Sequence, residues 1–150
     1  MEITSTIKLN EEGFEEPKVD VKIDQAENNE PLKNEPSKYA RFFDESNSYW
    51  CADPEYNKLF ILHVMDHMNM MLKAKGHVFL NEVYDALGLS RSSEGQIVGW
   101  IYEEDNPFGD NHIDFEFDEE KREALMSGKA VLLDFNVDGN IVNRIWKEEL

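Results

Sequence analysis

The chain is poor in positive charge, in cysteine and in long apolar runs, and each shortage narrows what it does. Lys and Arg together number 15 against 32 Asp and Glu, a formal net charge of -17 over 150 residues. A nucleic-acid binder needs a basic footprint on phosphates, and an anionic membrane surface attracts basic segments. The balance therefore excludes both partners and favours basic proteins or cations. The single cysteine, Cys51, rules out an intramolecular disulfide and fits a reducing compartment such as a cytoplasm. Beside Trp50 it reads as a small buried apolar residue rather than a nucleophile. "MEITSTIKLN" has no basic stretch followed by an apolar core, so it is not a signal peptide. The longest apolar run, "KLFILHVM", is too short to span a bilayer. No nucleophile elbow, phosphate-binding loop, dinucleotide fingerprint or paired-cysteine zinc pattern occurs, and no cofactor is implied.

What is present divides the chain in two. Residues 1–37 carry "EEGFEEPK" and "AENNEPLKNEPS", with alternating Ile3, Ile7 and Leu9 and then Val19, Val21 and Ile23. Too little apolar surface is available there to offset ordering entropy, so a flexible acidic tail is expected, with two short strands as the alternative. Residues 38–150 have the composition of a domain. "YARFFDESNSYW" packs five aromatics into twelve residues and marks core or interface. Asp53-Pro54 opens a helix as N-cap and first helical residue, Lys73 and Lys75 suit its negative end, and Gly76 closes it. Tyr56, Leu59, Phe60, His63, Val64, His67, Met70 and Met71 mark its expected buried face. "HVFL" is a short strand, and Asn81 is the expected cap of a second helix ending at Gly88. "QIVGWIYEE" and "HIDFEF" read as strands, with the helix "DEEKREALMSGK" after them. Helices first and locally joined strands later predict an α+β fold with a mainly antiparallel sheet.

Candidate chemistry sits in three places. In "VLLDFNVDGNIVNRIW", Asp134, Asn136, Asp138 and Gly139 fall at the first, third, fifth and sixth places of a calcium-loop pattern, but Ile145 stands where the twelfth-place Glu belongs. Alternating apolar residues on both sides of Asp138-Gly139 predict a β-hairpin instead. His63 and His67, four apart on one helix, form half of a metal site, with His77, His112 or Cys51 as a third ligand; the alternative is two histidines at a core margin. Between Glu103 and Glu120 stand nine carboxylates and no Lys or Arg. Four readings apply: a solvated edge, a docking surface for a basic protein, a weak calcium site of Asp105, Asn106, Asp110, Asn111 and Asp114, or a carboxylate pair for glycosidic chemistry. Docking is the preferred one, with Glu103, Glu104, Asp105, Asp110, Asp114 and Glu116 as the contact residues.

"GHVFLNEVYDALGLSRSSEGQIVGWIY", "GDNHIDFEF" and "VLLDFNVDGNI", in that order after "YARFFDES" and "DPEYNKLF", resemble the C-terminal domain of a family of uncharacterised phage and prophage proteins of Gram-positive bacteria. The resemblance spans about residues 38 to 145 and implies a phage-encoded protein, but no activity or catalytic residue. In many members hydrophobic segments precede this domain; here an acidic segment stands in their place. Asn81, Leu87, Gly88, Gly95, Gly99, Trp100, Asp110, Asp134, Asn136, Asp138 and Gly139 match recurring positions, each with a structural account as cap, core, turn or close packing. The expectation is a non-enzymatic interaction protein that engages a host or phage protein, in one version inhibiting a host defence or nucleic-acid enzyme. A virion or assembly component and a metal-dependent enzyme are the alternatives.

Overall fold

Strands and helices alternate in short pieces along the computed structural model, which describes residues 2–10, 13–19 and 35–147. The chain divides into two compact units, residues 1–35 and Pro36–Leu150. In the first, strands β1 (Glu2–Asn10) and β2 (Gly13–Val19) pair antiparallel with Thr4 opposite Val19. Of the rest of the expected tail 1–37, residues 35–37 are described, with Ser37 bonded to Asp134; the others lie outside the described residues.

The second unit is α+β. Strands β3 (Arg41–Phe43) and β6 (Val131–Leu133) form a two-stranded antiparallel sheet. Strands β4 (His77–Phe79), β5 (Val98–Ile101) and β7 (Gly139–Asn140) form a three-stranded one in the order β4-β5-β7. Helix α1 (Pro54–Lys75) is bounded as its sequence demands: Asp53 accepts from the Glu55 amide at 3.1 Å, Pro54 stands at the first turn, and Gly76, at φ 88°, donates to the Leu72 carbonyl at 2.8 Å. Helix α3 (Glu119–Met126) starts from Asp118, whose side chain accepts from the Lys121 amide. Helices α2 (Leu80–Leu87) and α4 (Val142–Lys147) are short.

Trp100, Tyr84, Phe43, Phe115, Ile61 and Leu72 are fully buried at the centre of the core. Burying each such side chain contributes roughly 1.5–3 kcal/mol. Phe135 meets Tyr84 and Phe115 edge-on at 5.6 and 5.3 Å, and the Tyr84 hydroxyl donates to the Tyr39 carbonyl at 2.7 Å. The close β4–β5 approach requires glycine at position 99, where a Cβ would overlap the Val78 carbonyl and press on Phe79 Cα.

Four expectations are corrected. The buried face of α1 is Asn57, Ile61, Val64, Met68 and Leu72. Of the expected set Val64 lies there and Phe60 and Met71 pack partly buried at its margin, while Tyr56, Leu59, His63, His67 and Met70 are exposed, because apolar residues surround this helix and periodicity alone does not choose a side. Asn81 does not cap α2; it bridges to Ser92, donating to its carbonyl at 2.9 Å and accepting from its amide at 3.0 Å. The capping contact comes from Glu82, which reaches back to the Phe79 amide at 2.9 Å. "HIDFEF" joins no sheet ladder: Ile113, Phe115 and Phe117 are buried and Asp114 and Glu116 exposed, and Glu116 takes the left-handed φ of 56°. The C-terminal hairpin is absent. β6 pairs with β3, β7 pairs with β5, and the residues after Ile141 are helical. The backbone amides of Asp134, Asp138 and Ile141 donate to the Phe115, Gly99 and Ile97 carbonyls. Distant partners thus satisfy the groups that a local hairpin ladder would have paired.

Candidate functional site

The acidic loop leaves β5 at Ile101 and is closed by its own amides. The Asn111 side chain accepts from the Glu103 amide at 3.1 Å and donates to the Glu103 carbonyl at 2.7 Å. Asn106 Nδ2 donates to the Ile101 carbonyl at 2.8 Å and to Asn111 Oδ1 at 3.0 Å, and Asn106 Oδ1 accepts from the Phe108 amide. Asn111 sits at φ 58°, a left-handed conformation that Asn tolerates better than most residues. From α4, Arg144 reaches into this loop. It donates to Glu103 Oε2 at 2.5 Å and to Asn106 Oδ1 at 3.2 Å, and its guanidinium lies 4.8 Å from the centre of the Phe108 ring. Phe108 is nevertheless 65% exposed. Two open grooves flank Arg144. One of about 350 Å³ is lined by His77, Tyr102 and Glu103, and one of about 360 Å³ by Phe108, Asp138, Asn140 and Asn143.

The six expected contact residues do not share one environment. Glu103 is paired with Arg144. Asp110 lies 3.3 Å from the Asn136 amide nitrogen, Asp114 accepts from the Glu116 amide, and Glu116 lies 3.9 Å from Lys121. Glu104 and Asp105 form the exposed turn between them and have no ion-pair partner among the described residues. Sequence reading missed Phe108 and Arg144. "NPF" in a turn was the available signal for the first; the second lies 41 positions from its carboxylate partner and left no local signal.

Asp134, Asn136 and Asp138 do not converge on a common point. Asp134, buried, accepts from the Ser37 amide at 2.7 Å, the Ser37 hydroxyl at 2.5 Å and its neighbour Phe135 at 2.8 Å. Asn136 Oδ1 accepts from the Trp100 indole at 2.9 Å and the Asp114 amide at 2.8 Å, while Nδ2 donates to the His112 carbonyl at 2.9 Å. Asp138 Oδ2 accepts from the Ile101 amide at 2.9 Å. Asp138 is only half-buried, yet its Oδ1 is enclosed and without a hydrogen-bond partner among the described residues. Burial pushes this carboxyl above its ordinary value; the Ile101 amide, Asn106 and Arg144 oppose the rise and Asp110 adds to it. The pattern that reads as a calcium loop is therefore a row of three brackets. They hold the entry segment, the core tryptophan and the end of β5.

His63 and His67 are exposed on α1. His77 packs edge-on to Phe79 at 5.6 Å, and Cys51 is held by Asn57, which bonds both its amide and its carbonyl at 2.8 Å. Among the described residues no three His, Cys, Asp or Glu side chains are grouped so as to hold a metal ion, and no helix is long and apolar enough to cross a membrane.

No curated protein and no solved structure matches the chain. A family model does, over residues 5–145, and so takes in part of the first unit as well as the domain. The chain belongs to this family, DUF6353, a family of unknown function.

Proposed function

We propose that this protein acts without catalysis, as a phage-encoded interaction protein whose acidic loop docks on a basic surface of a host or phage protein. The observation that carries the reading is Phe108. It is a large apolar side chain, mostly exposed, on a loop held by Asn106, Asn111 and Arg144, with Glu104, Asp105 and Asp110 exposed around it. An aromatic anchor on a rigid support with a charged rim is the composition of a binding hot spot. It differs from a merely solvated loop, which has no reason to hold a phenyl ring in water. The carboxylates would steer association and the ring would hold the complex. Imitation of phosphate charge against a host defence or nucleic-acid enzyme, in the host cytoplasm, is the version that the net charge favours. The phage setting rests on the motif resemblance of residues 38 to 145.

The test begins with a partner captured from bacterial cells by affinity pull-down and continues with stopped-flow association at low and high salt. Changing Glu104→Gln, Asp105→Asn and Asp110→Asn together should slow association several-fold at low salt and flatten its salt dependence. Phe108→Ala should leave the association rate near wild type and speed dissociation about tenfold or more. Unchanged rates in both variants would remove this loop from the interface.

A further inference from the structure

Helix α1 exposes apolar side chains as well as burying them. Opposite its buried face runs a second stripe at three- and four-residue spacing: Tyr56, Leu59, His63, Asp66, Met70 and Lys73, all exposed. Leu59 is 53% and Met70 68% exposed. A 3-4-3-4-3 spacing keeps one seam facing a partner helix, with Tyr56, His63 and Met70 at one core position of a heptad and Leu59, Asp66 and Lys73 at the other. In an antiparallel pair of helices each residue of the first kind meets one of the second. If α1 faces a second α1 so that Met70 meets the partner copy's Leu59, the same register sets His63 against Asp66 and Tyr56 against Lys73. Each contact then occurs twice. Apolar meets apolar, an imidazole meets a carboxylate, and an aromatic ring meets a cationic side chain with a long apolar stem. Glu55, beside Tyr56, comes near Lys73 of the other copy.

From this self-complementarity we infer that the protein forms a two-fold homodimer through the outer face of α1, with the two helices antiparallel. An isologous interface needs one surface that fits itself when reversed, and this stripe does. Charge supports a second copy as the occupant. In the register set by Met70 and Leu59, Asp66 and Glu55 of one copy lie near His63 and Lys73 of the other, so the stripe's own charges complement one another. Antiparallel packing also sets the negative end of each helix dipole beside the positive end of the other. The seam is one helix long, about 33 Å at 1.5 Å per residue, which fits a modest interface and a reversible dimer.

Sedimentation equilibrium of the full chain, run to about 1 mM to reach weak association, should show a monomer–dimer equilibrium. Met70→Asp should raise its dissociation constant at least tenfold while the thermal transition of the exposed-site variant stays in place. Lys73→Glu alone should weaken the dimer, and Lys73→Glu with Glu55→Lys should restore it. Orientation is read by disulfide trapping in a Cys51→Ser background. Leu59→Cys mixed with Met70→Cys should yield a cross-linked dimer. Leu59→Cys alone should not, since its two copies would stand 11 residues, about 16 Å, apart along the seam. A chain that stays monomeric throughout, a dimer indifferent to Met70→Asp, or cross-linking by Leu59→Cys alone would each overturn the inference.

Discussion

The stretch from Asp134 to Asp138 and the loop from Glu103 to Asp110 are built from the same residue types and treat them in opposite ways. In the first, Asp, Asn and Asp each take backbone or indole N–H groups from a different distant segment. In the second, Asn106 and Asn111 do that work for the loop, Glu103 is paired with Arg144, and Glu104, Asp105 and Asp110 face solvent. Charge density alone therefore does not identify a functional carboxylate. What separates the two sets is the number of buried donors each side chain satisfies: removing a satisfier strands them, whereas removing a solvated charge strands nothing.

The contrast sets an order of effects. Asp134→Ala should be the most damaging of these changes. It strands the Ser37 amide and frees the entry segment, and charge-assisted bonds of this kind are lost at about 3 kcal/mol in total, read as a lower denaturant midpoint at unchanged slope. A loss under about 0.5 kcal/mol would place Asp134 among the solvated carboxylates.

Asp138→Asn should act mainly through pH. Burial raises the folded-state pKa above the ordinary 3.8, so the folded chain binds this proton more tightly than the unfolded one. The wild-type residue is then most favourable below 3.8, becomes less so as pH rises through the folded pKa, and costs a constant amount above it. Thermal unfolding across pH 3 to 7 should show the Asn variant gaining on wild type as pH rises. A parallel pair of curves would mean that the enclosed Oδ1 finds a partner in solution.

The smallest effect belongs to Glu104→Gln, Asp105→Asn and Asp110→Asn together. Relief of mutual repulsion at an exposed site should change stability by only tenths of a kcal/mol.

How much of this was legible in the sequence follows from how far each signal reaches. The ends of α1 were readable because Asp53, Pro54 and Gly76 act on backbone groups within a few residues. The start of α3 was readable for the same reason, through Asp118, and β4 lies where it was expected, but β5 is only Val98–Ile101, shorter than the expected "QIVGWIYEE". The hairpin was not, because the apparent turn at Asp138-Gly139 competes with partners in β3 and β5, some forty to ninety positions away. The face of α1 was not, because its apolar residues leave periodicity without a minimum. At the candidate site the carboxylates were visible. Their sorting into paired and solvated groups was not, since it depends on Arg144 and on the Asn106–Asn111 contacts that only folding creates.

The distinction between a bracket side chain and a docking carboxylate is tested most directly by urea unfolding of two variants side by side. Asn136→Ala removes the acceptor of the fully buried Trp100 indole and of the Asp114 amide, together with the donor to the His112 carbonyl. The Glu104→Gln, Asp105→Asn, Asp110→Asn variant removes three formal charges. The account predicts that the first, which changes no charge, loses about 2 kcal/mol or more, and that the second stays within about 0.5 kcal/mol of wild type. Comparable losses in both, or the larger loss in the charge variant, would contradict it.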